Sequence, residues 1–527
     1  MVSFRGLLRV IPFFVCLAAG AIAAEPPAAP PEPYALAIES VLRSDSSIAP
    51  TSIEKLQAFY AARQDRPAWY DAHGLNGDGK LAVAAIASSG DDALDPAQYE
   101  LAAISKPLPV ADPQSVAYRD VLLTTQIMRY ASDVRDGRDT LKRVDSDIDI
   151  PLSGFDAAKA LGEALSERKL PDFLQTLAPQ TSAYALLKAA LARYRAIAGN
   201  GGWTDIPAAK PYDAKTATAE ALMALQSRLA FEDADLVVST PPDADAIDAA
   251  TRRFQVRNGL AGDGVVGPAT LALLNVPASA RVAQISVNME RLRWLPRMLE
   301  KSYVEVNVPD ATLHVIDGGK EALTSRVIVG RPADRTPIFR AEITDVVANP
   351  PWNVPAKITR NEIMPKVRKN PGYLASHNMV VTNGQVQQLP GAKNSLGLIK
   401  LNVSDRFSVY LHDTPSRSLF ARDQRFLSHG CIRVQQITPL ASYAITGDVT
   451  GGVDRLLEAI ATGETVHLPI PSPIPLYVDY FTAFPAADGT LQFRSDIYGR
   501  DARMIVAMGG TTSAQVTGSI GNCSRAG

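Results

Sequence analysis

Two periodicities divide the chain. From Leu36 to about Ala198, Ala and Leu recur at helical spacing, most clearly over Ala117–Tyr130 and Tyr184–Ala198, and predict a largely helical domain. Gly, Pro and Asp cluster at Gly199–Pro211 and break that pattern. Beyond the break, Ala217–Ala230 and Asp245–Arg257 have the spacing of amphipathic helices. Leu260–Thr270 is a Gly-rich turn leading, through Pro268 at a first helical position, into a short helix that ends near Leu274-Asn275. After Pro296 the spacing switches to alternation. Tyr303–Val308, Thr312–Ile316, Leu323–Val329 and Phe407–Leu411 are predicted strands, with Asp317-Gly318-Gly319 turning between the second and third. Helical spacing returns at Ile358–Val367, around Ala441 and at Asp454–Ala461. The predicted fold class is therefore multidomain α+β: a helical domain over 36–200, a small helical unit over 210–277 and a mostly β domain over 301–471 with a helical insertion.

The two ends read differently. Arg5 and Arg9 precede the apolar run Val10–Gly20, and Ala21-Ile22-Ala23-Ala24-Glu25 offers a small-residue cleavage site. Residues 1–24 are thus expected to be an export signal, with an uncleaved membrane anchor as the alternative. Residues 25–35 form a Pro/Ala-rich linker, 472–508 a closing element, and 509–527 a Gly/Ser/Thr-rich tail expected to be disordered. The 527 residues are enough for several cores, and a net charge of −2 offers no basic surplus for a nucleic-acid partner.

Cysteine is scarce. Of three in the chain, Cys16 lies in the signal and Cys523 in the tail, which leaves Cys431 in Ser428-His429-Gly430-Cys431-Ile432-Arg433, nineteen residues after His412. A thiol with a reference pKa of about 8.5 needs a neighbouring base to act as a nucleophile near neutrality. His412 and His429 are the two candidates. The backbone amides of Gly430 and Cys431 are candidate oxyanion donors, because glycine allows a close approach that a Cβ obstructs. Arg433 is placed to stabilise a thiolate or substrate oxygens. Tyr410 shares a strand face with His412 by the two-residue period, whereas the Asp413 side chain points to the opposite face. No metal or cofactor is called for: Asp71–Lys80 only faintly resembles a calcium loop, since Ala82 stands where a bidentate Glu is needed.

Phe254-Gln255, Gly259-Leu260, Asp263-Gly264, Gly267, Thr270 and Leu274-Asn275 resemble the small helical peptidoglycan-binding module. His412 in Leu411-His412-Asp413-Thr414-Pro415, followed by Ser428–Arg433, resembles the signature of the large Gram-negative periplasmic L,D-transpeptidases, whose catalytic domain has the YkuD-like fold. Asn349–Pro355, Leu389–Gly397, Phe59-Tyr60 with Pro67-Ala68-Trp69, Ile285–Leu295 and Leu476–Asp501 extend the resemblance over nearly the whole chain. It implies a β-sandwich with the site at one edge, an N-terminal scaffold domain, and a cap at about 353–396 carrying Lys357, Arg360, Lys366, Arg368 and Lys369 over the donor groove. It also implies Cys431 as nucleophile, His412 as base, the Asp413 backbone carbonyl orienting that ring, and supporting roles for His429, Gly430 and Arg433. Tyr410, Trp352, Asn394 and Arg433 are the implied substrate contacts. The implied reaction is 3→3 cross-linking of peptidoglycan stem peptides in the periplasm through a cysteine thioester, with loss of terminal D-alanine, without a cofactor and open to acylation by carbapenems. Hydrolysis of the thioester, envelope proteins as acyl acceptors, and a wall-binding scaffold without catalysis are the alternatives.

Overall fold

The computed structural model describes residues 33–44, 50–71, 73–108, 112–152, 154–207 and 210–510. The expected signal, Cys16, Cys523, the tail from 511 and most of the 25–35 linker lie outside them. The last residues assigned to that linker belong to the first helix, Pro33–Ser44.

The N-terminal domain is helical because its apolar residues keep one stripe. In Pro113–Asp136 the buried positions include Val116, Ala117, Val121, Leu123, Ile127, Tyr130, Ala131 and Val134, and Asp112 caps its first amides. Asp120 on this helix is buried and explains the Tyr60 and Ala68-Trp69 stretch. Its carboxylate accepts from the Tyr60 hydroxyl at 2.7 Å and from the amides of Ala68 at 2.9 Å and Trp69 at 2.8 Å.

The unit over 210–277 has three helices, Ala219–Leu229, Ala244–Arg257 and Pro268–Leu274, around Leu225, Ile247, Phe254 and Leu274. Gln255 accounts for the spacing of its motif. Its side-chain amide donates to Asp263 at 2.7 Å, to the Val265 carbonyl at 2.9 Å and to Thr270 at 3.1 Å, and its oxygen accepts the Gly264 amide at 2.8 Å. Gly264, at φ +74°, makes the turn that brings its amide there. Gln255→Ala leaves the Gly264 amide without its acceptor and removes one bond each from Asp263, Val265 and Thr270, which keep only the bonds among themselves, and is expected to destabilise the unit by about 2–4 kcal/mol. Amide exchange over Ala244–Arg257 should accelerate accordingly, and unchanged protection would contradict this account.

The C-terminal domain is built on one sheet. Its strands are β1 (Ile148–Asp149), β2 (Tyr303–Asn307), β3 (Thr312–Asp317), β4 (Lys320–Gly330), β5 (Ile338–Ala348), β6 (Ile399–Val403), β7 (Leu411–His412), β8 (Phe426–Ser428), β9 (Ile432–Val434) and β10 (Val466–Asp479). The order β6-β7-β9-β4-β3-β2-β10-β5 closes on itself, because β6 pairs with both β7 and β5. The two faces expected of a sandwich are thus sides of one hydrogen-bonded ring. The helix Ile437–Thr446 buries Ile437, Leu440, Ala441 and Ala444 against its apolar side.

Three expectations need correction. The boundary at 471 falls inside β10, which runs on to Asp479 although its ladder shifts between Pro469 and Ile474, where a series of prolines cannot donate. Phe407–Tyr410 is not a strand. The Asp405 carboxylate takes the amides of Phe407 and Val409, and Ser408 sits at φ +58°, so only Leu411–His412 joins the sheet. The cap is not merely helical. Trp352–Asn353, Gln385–Gln388 and Met379–Thr382 form a three-stranded sheet, and Val354, Ile358, Ile363, Met379 and Val386 give it a small core of its own. Within it, Thr359–Ile363 is a π turn ahead of Pro365, which has no amide to continue the helical ladder.

Candidate active site

β7 and β9 run parallel with Leu411 opposite Ile432 and His412 opposite Arg433, while Lys400 on β6 faces His412. Leu411 and Ile432 enter the core, so Lys400, Tyr410, His412, Cys431 and Arg433 all project from the other face. Four of these five are the residues picked out in the sequence. Lys400 was missed, although a lysine between apolar Ile399 and Leu401 in a strand-like run was a usable signal.

His412 is buried, with Nδ1 2.6 Å from the Asp413 carbonyl oxygen. A carbonyl only accepts, so Nδ1 carries the hydrogen and Nε2 keeps its lone pair. Burial, aided by the Arg433 and Lys400 charges, pulls the ring down to about 3, against the opposing pull of the Asp413 and Leu396 backbone. Asp413 is itself fixed. Its carboxylate meets Arg417 at 2.7 Å and the Leu398 amide at 3.1 Å, and its own amide donates to Ile399 at 2.9 Å. Gly397, at φ +64°, passes so close that a Cβ there would lie 2.3 Å from the Asp413 carboxylate.

Cys431 is a free thiol, partly exposed. Burial of the sulfur raises its pKa, while hydrogen bonds from Tyr410 and the Lys400 charge draw it down. At neutral pH the pair therefore rests as neutral thiol and neutral imidazole. The Cys431 thiol points to the Ser408 carbonyl at 3.9 Å, the Tyr410 hydroxyl interacts with both Cys431 and Trp352, and the Tyr410 ring lies 5.5 Å from that of His412. Trp352 thus reaches the site from the cap side. Arg433 is half-buried behind the thiol, with Nε unpartnered.

The turn that presents Cys431 is held from several directions. Ser428 Oγ accepts the Gly430 amide at 3.1 Å and donates to the Cys431 carbonyl at 2.6 Å, so the Gly430 amide is engaged in the resting site. Gly430 has φ +112°, which disfavours any residue with a Cβ. Its carbonyl accepts from Thr336 at 2.8 Å, and that hydroxyl accepts the Gly330 amide at 2.9 Å. The Thr336 loop is anchored in turn by elements far away in sequence. Arg500 of the closing element donates to the Thr336 carbonyl at 3.1 Å, and Asp145 of the helical domain pairs with Arg335 at 3.1 Å and Arg503 at 2.5 Å. These contacts tie the Gly430-Cys431 turn to the closing element and to the helical domain.

His429 is engaged by the cap: its Nε2 lies 2.6 Å from Glu362, and Glu362 also meets Arg331 at 3.3 Å. Burial pushes the Glu362 carboxyl up, but these two partners outweigh it and hold it below its usual range. Asn394, expected to touch substrate, is instead buried. Its amide nitrogen donates to the carbonyls of Pro350, Gln388 and Leu389 and its oxygen accepts the Leu396 amide, so it shapes the loop behind the site and has no group to spare. Of the cap cations, Lys357 pairs with Asp334 and Lys366 lies 5.5 Å over the Tyr373 ring, whereas Arg360, Arg368 and Lys369 are exposed.

Residues 54–191 match the scaffold domain family, and residues 301–455 match YkuD, the L,D-transpeptidase catalytic domain family. A Haemophilus influenzae protein whose name carries the L,D-transpeptidase designation is 32% identical over 245 residues, covering 42% of this chain and 49% of that protein. The chain thus spans about half the length of this curated relative. Among solved structures, an L,D-transpeptidase from Xylanimonas cellulosilytica covers 52% of this chain and 100% of its own, at 16% identity and a TM-score of 0.17. The Ldtfm-avibactam carbamoyl enzyme covers 50% and 99%, at 12% identity and a TM-score of 0.19. Superpositions that loose add nothing to the family matches.

Proposed function

Because this chain carries a YkuD-type L,D-transpeptidase catalytic domain preceded by a scaffold domain, we propose that it is a periplasmic cysteine transpeptidase that forms 3→3 cross-links between peptidoglycan stems. The observation that carries the reading is the neutral His412, its Nδ1 hydrogen committed to the Asp413 carbonyl, on one face with Cys431.

The thiol gives its proton to His412 Nε2 as sulfur attacks the carbonyl before the terminal D-alanine. The C–N bond breaks, His412 returns the proton to the leaving amine, and the acyl group stays on Cys431 as a thioester. A side-chain amine of a second stem then attacks that carbonyl, passes its proton to His412, and the thiol is regenerated. The Cys431 amide is the oxyanion donor of this scheme, Arg433 supports the developing charge, and Tyr410 with Trp352 lines the donor groove. The unit over 210–277 is the candidate glycan-holding element.

Incubating the protein with disaccharide-tetrapeptide tests the reading. A dimer joined between two diaminopimelates supports it; tripeptide alone points to hydrolysis or to an envelope-protein acceptor. The cap is proposed to close the groove through Glu362. Glu362→Gln removes the charge shared by His429 and Arg331 and should raise KM about 3–10-fold with little change in kcat, as expected for half-exposed ion pairs. Unchanged KM would remove the cap contact from the account.

A further inference from the structure

Lys400 sits between two buried residues, Ile399 and Leu401, and its own half-buried side chain leaves by the opposite face. Nζ lies 4.4 Å from the centroid of the Tyr410 ring, which neighbours Cys431. The cation therefore stands directly behind the ring that touches the thiol, one strand away from His412. Removing an ammonium from water is costly, and burial lowers the proton affinity of this one. The groups that favour its charge are Cys431 and Asp345.

We propose that the Lys400 ammonium stabilises the Cys431 thiolate as it forms, across the shared face and along the Tyr410 ring, and so acts as a positioning residue for the nucleophile. The inference rests on the reading of Cys431 as nucleophile. The charged and titratable groups facing the sulfur are Lys400 from β6, His412 from β7, Arg433 from β9, and Tyr410 and Asp405 from the loop before β7. Tyr410 stays protonated, pushed up by burial and by the thiolate, and His412 is neutral until it takes the thiol proton. Lys400 and Arg433 are then the cations that oppose Asp405. Arg433 lies in the strand that follows the nucleophile, whereas Lys400 reaches it from β6, with Asp345 of β5 as counter-charge.

The test is the pH dependence of iodoacetamide alkylation of Cys431 in the full chain, in which the thiolate sulfur forms a bond to carbon and iodide leaves. Mass spectrometry of the Cys431 peptide isolates this thiol from the others, and Cys431→Ala is the blank. Lys400→Met should move the midpoint up by about one unit and slow alkylation at pH 7 by about 10-fold, while Lys400→Arg stays within about 3-fold of the native chain. A Lys400→Met profile that superimposes on the native one, or a Lys400→Arg shift as large as that of Lys400→Met, overturns the proposal. Should Lys400→Met not fold, the reciprocal effect serves: competitive acetylation rates of Lys400 measured across pH 8–11 should reach half-maximum at a lower pH in Cys431→Ala than in the native chain, because the thiolate that holds its proton is gone. Equal midpoints overturn the proposal. Alkylation needs no peptidoglycan, so cross-linking that survives Cys431→Ala would sink the nucleophile reading separately.

Discussion

Cys431→Ala is expected to abolish cross-linking, lowering the rate by about 10⁴-fold or more, while the protein remains folded. The scale follows from the chemistry. Among the described residues Cys431 is the free thiol on the face shared with His412, and nothing else there can hold the acyl group as a thioester. The structural cost is small for a physical reason. The turn is held by backbone and hydroxyl contacts, from Ser428 to the Gly430 amide and the Cys431 carbonyl and from Thr336 to the Gly430 carbonyl, none of which involves the sulfur. A partly exposed Sγ can be removed for less than about 1 kcal/mol. Dimer formation and thermal unfolding, measured together, check both statements. Residual cross-linking above about 1% of the native rate would contradict the role given to the thiol.

His412→Ala is the second large effect, expected at about 10²–10⁴-fold, against less than about 10-fold for His429→Ala. The two histidines differ in what holds them. His412 is buried with its Nδ1 hydrogen on the Asp413 carbonyl, so its Nε2 lone pair can take a proton; His429 has its Nε2 tied to Glu362 of the cap. The pH profile should separate the same possibilities. Burial lowers the imidazole to about 3 and raises the thiol, so both are neutral at pH 7 and the resting site is not an ion pair. Acylation should then stay level between pH 5 and pH 8, with no acid limb from the histidine, and fall only as pH climbs through the thiol's raised range and removes the proton that His412 returns to the leaving amine. A limb near the ordinary histidine value, or a larger loss in His429→Ala, would contradict the assignment of the base.

The sequence made some parts of this molecule legible because their physics is local. Helical spacing located Pro113–Asp136 and Ser182–Gly199, alternation located β2, β3 and β4, and the run Ser428–Arg433 marked the candidate nucleophile. The face shared by Tyr410 and His412 followed from the two-residue period. Other parts depend on partners far along the chain. Nothing near Thr336 announces that its hydroxyl will hold the Gly430 carbonyl, or that Arg500 and Asp145 will fix its loop. Asn394 had the composition of a binding residue, yet three backbone carbonyls claim its amide. Phe407–Tyr410 alternates like a strand, but Asp405 captures its amides. One local signal was overlooked: Asn383-Gly384, at φ +50° and +78°, is the two-residue hairpin turn between Met379–Thr382 and Gln385–Gln388.

The most direct measurement is the intact mass of the full chain quenched during turnover of disaccharide-tetrapeptide, followed by peptide mapping of the adduct. The account predicts an added mass equal to the donor less D-alanine, carried by Cys431, absent in Cys431→Ala and discharged by a stem-peptide amine. An adduct on any other residue, or cross-linked product with no covalent intermediate and undiminished by Cys431→Ala, would contradict it.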